Sequence, residues 1–347
     1  MRGVLRVGPR QVRVADLPRP RLEPRAAIVR VRAAGICGSD LHGYRERDRP
    51  EERPQGHEVA GEVVEVAPHP GAAPPVQPGD LVALDTICLG RACGACRWCR
   101  EGAFFHCERK RRGDDWAGGF AEYVKRDVRG LFPLPHGMTA AEGALVEPLA
   151  VAVHAVRLAA LRPGETVAII GAGTIGLACV MAAAAMEAGA IYVLARHAHQ
   201  AEVARRLGAT QALLEAPNEA AAIVRDATGG AGADLVIETV GGSAPTLNQA
   251  WSLLRRRGRV AVLGVFSHQV GVDLGTPLGK EATVLFPVCY GLQDGRHDFD
   301  VAIEWIASGK APVAALLTHT FPLERAAEAF ATADDKATRS IKVQFHL

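Results

Sequence analysis

Hydrophobic positions along this chain fall into two textures. Through the first third, short β-branched runs are broken by Pro and Gly, as in AAIVRVRAAG (26–35), EVAGEVVEVAP (58–68) and GDLVALDT (79–86). Such runs at close spacing predict the strands of a small, partly barrel-like β domain, with AAPPVQPGDLV a loop entering one of them. From about residue 145, Ala-rich stretches of helical periodicity alternate with the apolar runs TVAIIGAG, AIYVLA, QALLE, ADLVIETVG and RVAVLGV. Strand and helix repeated in this order predict parallel β-α-β units and a doubly wound parallel sheet, an α/β fold. After LFPVCYG, helical patterns return in DFDVAIEWIASGK and LERAAEAFATADD, and SIKVQFHL reads as a further strand. That segment is expected to rejoin the first domain, which sets boundaries at 1–144, 145–290 and 291–347 and leaves a cleft between two bodies as the natural ligand site.

Length and charge narrow the classes. A chain of 347 residues, 48% hydrophobic, suits about two domains, and a net charge of +2 lacks the basic excess of a nucleic-acid or membrane-surface binder. The opening MRGVLRVGPRQVRV carries charges every few residues and does not read as a signal peptide, so a cytoplasmic protein is expected. One uncharged stretch, TVAIIGAGTIGLACVMAAAAM (166–186), approaches the length of a bilayer span. Its clustered glycines divide it into strand, turn and helix, and no membrane segment is expected.

Cysteine usage is uneven. Four of the eight fall in CGACRWCREGAFFHC, at Cys93, Cys96, Cys99 and Cys107. The C-x2-C-x2-C spacing lets thiolates converge on one tetrahedral Zn²⁺, and the fourth closes the site, as a structural zinc in a lobe of about residues 88–112 requires. A redox pair is the alternative. Cys88, Cys179 and Cys289 read as small apolar packing groups, and ERKRR (108–112) as a solvated charge run.

GAGTIG (171–176) matches G-x-G-x-x-G between a strand and a helix. Gly171 allows the tight turn, Gly173 lets the backbone approach a pyrophosphate, Gly176 lets helix and strand pack closely, and the helix N-terminus offers amide donors. At the end of the next strand an acid normally binds the ribose hydroxyls and selects NAD. Here Ala195 stands there, followed by Arg196. A small residue and a guanidinium make room for a 2′-phosphate and bind it, so NADP preference is expected; the alternative is a solvated Arg196 and an enzyme that accepts both cofactors. His197 and His199 either add to that field or face solvent.

GICGSDLH, GHEVAGEV and EPLAVAVHA contribute Cys37, His57 and Glu147, which can hold a metal with an open coordination position. With CGACRWCREGAFFHC, GGFAEYV, GAGTIG, FPLERAAEAF and SIKV in the same order over essentially the whole length, the chain resembles the zinc-dependent medium-chain dehydrogenase/reductase family. That family includes alcohol, sorbitol and threonine dehydrogenases. The resemblance implies a GroES-like catalytic domain interrupted by a Rossmann domain. It implies Cys37 and His57 as two catalytic zinc ligands. Alcohol dehydrogenases have Cys where this chain has Glu147, whereas the sorbitol and threonine branch has Glu and can also bring in the Glu58 counterpart, so both carboxylates are candidates. Ser39 resembles the hydroxyl that passes the proton, His42 the imidazole that relays it, and Asp40 a support for the ligands. The plainer readings are a turn residue, a surface His and a helix cap. Lys342 stands where members often carry a cation near the pyrophosphate. Gly171, Gly173, Thr174, Ile175, Gly176, Ala195, Arg196, Gly264 and Lys342 form the expected cofactor set.

The implied activity is interconversion of a secondary alcohol, of polyol, sugar or amino-alcohol type, and a ketone by hydride transfer with NADP(H) or NAD(H). Two zincs per chain, a small-molecule substrate and a homodimer or homotetramer go with it, without nucleic acid or membrane. A zinc-ribbon nucleic-acid binder would need a basic face that the near-neutral balance does not supply. A non-catalytic NADPH-binding or redox-sensing relative should have lost the open zinc site, whose candidate ligands are all present.

Overall fold

The computed structural model describes residues 1–68, 75–112 and 117–347, so the start of the AAPPVQPGDLV loop, at 72–74, lies outside the described residues. Two compact units emerge: Met1–Glu147 with Tyr290–Ala307 and Leu317–Leu347, and Pro148–Cys289 with Ser308–Leu316. The clearest departure from the expected boundaries is Ser308–Leu316, which joins the second unit. Its turn Val313–Leu316 buries Val313 and Leu316 and packs on the helix Thr174–Ala185.

In the first unit, β1 (Arg2–Gly8) and β2 (Gln11–Asp16) form an antiparallel hairpin. Sequence reasoning missed it, because charges interrupt every apolar run there. β3 (Ala26–Gly35) leads into α1 (Gly38–Glu46), and β4 (Glu58–Val66), β5 (Leu81–Asp85), β6 (Tyr123–Asp127) and β7 (Leu131–Pro133) follow. Glu147 lies in the first turn of α2 (Val146–Leu158).

The second unit carries β8 (Thr166–Ile170), α3 (Thr174–Ala185), β9 (Ala190–Leu194), α4 (Ala198–Arg206), β10 (Gln211–Leu213), α5 (Pro217–Ala227), β11 (Ala233–Glu238), α6 (Thr246–Leu253), β12 (Leu254–Val262) and β13 (Thr283–Leu285). Among the described residues its sheet runs β10-β9-β8-β11-β12-β13, parallel throughout. This is the order of a doubly wound dinucleotide-binding sheet, which reverses direction beside β8. The uncharged 166–186 stretch is a buried strand and buried helix, and no described helix is long and apolar enough to cross a membrane.

The chain then returns to the first unit through α7 (Asp298–Ala307), β14 (Leu317–Pro322), α8 (Ala326–Asp334) and β15 (Lys342–His346). The first unit's main sheet runs β14-β15-β3-β4-β5-β7, with β6 also on β3. β3 is buried nearly end to end because it pairs with three strands, and its register shifts at Ile28/Val29 and Val31/Ala33 bend it so that the sheet curls. Phe120, Phe330 of α8 and Phe345 of β15 close the core, their ring centroids 5.7, 5.4 and 6.3 Å apart. Burying each such side chain contributes about 1.5–3 kcal/mol, so the return segment helps to hold the unit together. Register matters most at one end: Gly35 pairs with Glu58, and Glu58 pairs with Asp85. Residues just past β3, just before β4 and just past β5 therefore meet.

Candidate active site

Cys37 lies in the turn between β3 and α1 and caps that helix. Its N–H donates to Asp40 Oδ2 at 2.9 Å, in a reciprocal capping arrangement. The other Asp40 oxygen lies 3.9 Å from His57 Nδ1, so one carboxylate ties the helix start to the imidazole. Thr86 Oγ1 donates to the His57 carbonyl at 3.1 Å and fixes the chain just before β4. Ligand atoms of Cys37, His57 and Glu58 fall within 4.8 Å of one another, and buried Glu147 interacts with His57 from α2.

The electrostatics of this cluster favour a cation. Burial disfavours charge on His57, yet Cys37 and Asp40, followed by Glu147, hold its pKa well above the ordinary value. Burial, reinforced by Glu58 and opposed by His57, pushes Glu147 up to about 8. A Zn²⁺ with thiolate, imidazole and carboxylate donors suits both the donor set and this potential.

Lys342 is placed differently from the expectation. It is 1% exposed, and its ammonium donates to both Glu58 oxygens at 2.5 and 2.6 Å and to the Ile36 carbonyl at 3.0 Å. All three of its N–H bonds are thus taken inside the cluster, which replaces the expected place at a pyrophosphate. Ser39 is exposed and, with Asp40 and His57, lines a pocket of about 170 Å³; His42 is half-buried one helical turn further along α1.

The four clustered cysteines also converge. Their sulfurs lie within 4.8 Å of one another, with Cys96 and Cys99 3.5 Å apart and Cys93 and Cys99 3.9 Å apart. Thiolates about 2.3 Å from a tetrahedral zinc stand about 3.8 Å apart, and a disulfide would be far shorter. Backbone N–H groups of Ala95 and Cys96 hold the Cys93 thiol down at about 6. Cys99 is pushed up to about 12 by burial and by Cys96 and Cys107, a repulsion that a dication relieves. Cys88 and Cys179 are buried as expected, whereas Cys289 is partly exposed.

In the second unit, Gly171 has φ +100° at the end of β8, and Gly173 caps α3. A Cβ on Gly176 would stand 1.9 Å from the Gly171 carbonyl, so helix and turn approach as closely as glycine permits. Thr174 and Ile175 form the first turn of α3. Ala195 is buried past β9, its N–H donating to Leu213 O at 2.8 Å, and Arg196 is exposed. The rings of His197 and His199 stack 5.6 Å apart beside it. Gly264 donates its N–H to the Glu238 carbonyl at 3.1 Å, beyond the end of β12.

Sequence reasoning missed the part of Lys342, whose partner Glu58 is 284 residues away, and that of Thr86. Residues 108–112 are exposed or half-buried, as a solvated charge run should be, and Lys110, Arg111 and Arg112 also line a pocket together with His57. No local signal marked the parts of Lys342 and Thr86, since the pairing of distant strands brings them to their partners.

A β-rich unit with an open Cys-His-Glu cluster, together with a dinucleotide sheet, defines a zinc-binding dehydrogenase. The alcohol dehydrogenase GroES-like domain matches residues 23–136, and the zinc-binding dehydrogenase domain matches residues 174–308. The sorbitol dehydrogenase of Bacillus subtilis is 31% identical over 344 residues, 97% of this chain and 94% of that protein. An Escherichia coli oxidoreductase of unknown specificity superimposes with a TM-score of 0.89 at 29% identity, covering 99% of this chain and 98% of its own. The galactitol-1-phosphate dehydrogenase of Escherichia coli does so at 0.87 and 26%, over 100% of both chains. The chain belongs to the zinc-dependent medium-chain dehydrogenase/reductase family, and it is an oxidoreductase of the alcohol and polyol dehydrogenase type.

Proposed function

We propose that this protein interconverts a polyol or sugar alcohol and its ketone by hydride transfer, with a nicotinamide cofactor. The convergence of Cys37, His57 and Glu58 at one end of the first unit's main sheet, with Glu147 beside them, carries the reading. Cys37 and His57 hold a catalytic zinc. A third donor would come from Glu58, whose oxygens share the cluster with Cys37 and His57 and are engaged by Lys342, or from Glu147 beside them. Bound there, Zn²⁺ supplies Lewis acidity that lowers the pKa of an alcohol and stabilises negative charge on its oxygen. A bound nicotinamide cofactor would supply the hydride acceptor or donor. Ser39 takes the hydroxyl proton, and His42 passes it to solvent. Asp40 orients the His57 ring and keeps the start of α1 in place. Cys93, Cys96, Cys99 and Cys107 hold a second, structural zinc.

Gly171, Gly173, Thr174, Ile175, Gly176 and Gly264 cradle the dinucleotide. Ala195 and exposed Arg196 favour NADP over NAD. The protein acts as a homo-oligomer, a reading supported by the exposed apolar residues beside edge strand β13.

A panel of polyols, sugars, amino alcohols and ketones assayed with NAD(H) and NADP(H), alongside metal analysis, tests these assignments. The expected result is two zincs per chain, activity lost when the catalytic zinc is chelated, and NADP preference that weakens in Arg196→Asp. Activity that survives loss of the metal would overturn the mechanism, and a strong NAD preference would overturn the assignment of Arg196.

A further inference from the structure

Arg129 lies in the short turn Val128–Gly130 between β6 and β7, outside the run of four cysteines, yet its side chain ends against their lobe. Its Nε and Nη2 donate to the two Asp127 oxygens at 2.8 and 3.0 Å, a fork that fixes the guanidinium plane. Asp127 is fully buried and caps the same turn, accepting the Arg129 backbone N–H at 3.1 Å. Nη2 also donates to the Ala92 carbonyl at 2.8 Å. Ala92 immediately precedes Cys93, so the guanidinium holds the backbone where the first cysteine enters.

The same guanidinium meets the residue after Cys93. Gly94 has φ +76°, and a Cβ on it would collide with Arg129 Nη1. Glycine there serves both the left-handed backbone and the close approach of the cation. The turn so clamped is one whose amides face sulfur: the Gly94 N–H donates to Cys99, and the Ala95 N–H to Cys93 Sγ at 3.5 Å. Burial opposes charge on Arg129, but Asp127, followed by Cys99 and Cys93, raises its pKa. Four thiolates around one Zn²⁺ keep a net negative charge, which a fixed cation beside two of them offsets. The fork on Asp127 alone would be an ordinary brace for the turn. The bond to Ala92 and the approach to Gly94 direct it at the lobe.

We propose that Arg129 is a positioning residue for the four-cysteine zinc site: it clamps Ala92–Gly94 so that Cys93 and Cys99 keep their places on the metal, and it offsets part of the thiolate charge. This rests on the reading of the lobe as a structural zinc site. Arg129 takes no part in hydride transfer; it sets how long the lobe keeps its metal.

The test loads Co²⁺ in place of zinc, because sulfur-to-cobalt absorption grows with the number of thiolates bound and so marks the lobe against the Cys37–His57 site. Decay of that absorption under excess chelator is followed in the wild type, Arg129→Gln and Arg129→Lys, with thermal melts alongside. Arg129→Gln should lose the lobe metal at least about tenfold faster than the wild type, and Arg129→Lys, which keeps the charge without the fork, should fall between them. Equal rates in all three would overturn the inference. So would a Gln variant that melts lower yet holds its metal as long as the wild type, since Arg129 would then only brace the turn. Should Arg129→Gln fail to fold, Arg129→Lys decides on the same readout, faster release supporting the clamp and release at the wild-type rate overturning it. A wild-type lobe that takes up no metal through four sulfurs refutes the structural-zinc reading itself, an outcome visible before any variant is compared.

Discussion

Lys342 and Glu58 show how much a single pair can hold. Both side chains are buried, and the ammonium meets both carboxylate oxygens at 2.5 and 2.6 Å. Removing one partner strands a buried charge, so Lys342→Met should lose about 3–5 kcal/mol of stability in urea unfolding, and Glu58→Gln/Lys342→Met should recover much of it. Additive losses in the double variant would show that the two residues act separately. Glu62 makes the opposite kind of pair, partly exposed between Arg30 at 2.8 Å and Arg32 at 2.7 Å. The Arg30 and Arg32 hydrogen bonds outweigh a small desolvation effect and hold its carboxyl below the ordinary 4.5. Since the folded pKa is the lower one, the stabilisation is complete above about 4.5 and is lost as pH falls through the lowered value. The gap between the wild type and Glu62→Gln, about 1 kcal/mol or less at pH 7, should close near pH 3; a gap that persists in acid would rule out the ionic contribution.

Among the elements, those whose chemistry is local were legible beforehand. The GAGTIG turn and the Cys93–Cys107 lobe carry their expected roles in spacing of a few residues, a strand-turn-helix in one and four converging sulfurs in the other. The β1–β2 hairpin and the pocket that Arg111 and Arg112 share with His57 were not legible. The alternation of β2 spans only the four residues QVRV, and the pocket joins segments distant in the chain, where Arg111 donates its N–H to the Arg91 carbonyl at 2.9 Å. Within the turn, glycines separate fold from function. A Cβ on Gly173 would meet nothing within 4 Å, whereas one on Gly176 would collide with the Gly171 carbonyl. Gly173→Ala should therefore change stability by under about 1 kcal/mol yet weaken dinucleotide binding at least about tenfold by occupying the approach of the pyrophosphate. Gly176→Ala should lose about 1–3 kcal/mol of stability. Thermal melts with cofactor titrations separate the two, and unchanged affinity in Gly173→Ala would place the pyrophosphate elsewhere.

At the scale of the whole molecule, the two units were visible as two hydrophobic textures, but the passage of Ser308–Leu316 into the second unit was not, since it depends on a buried contact with α3. The edge of the second unit's sheet predicts assembly. Strand β13 ends the sheet, and Val265, Leu274, Leu278 and Phe286 nearby are 67, 71, 81 and 70% exposed. Phe286→Asp/Leu278→Asp should convert an oligomer into a monomer in sedimentation velocity; a wild-type monomer would remove the reading altogether. The seating of β15 between β14 and β3 bears on how the protein is made. During synthesis the ribosome delivers Cys37, His57 and Glu58 long before Lys342, so the nascent first unit carries its acidic cluster without the cation that neutralises Glu58. The second unit, nearly continuous in the chain, can mature while the first waits. Completion of the Cys37–His57–Glu58 cluster is thereby tied to translation through residue 346, and a ribosome stalled before β15 holds a domain that lacks both the strand joining β14 to β3 and its resident lysine.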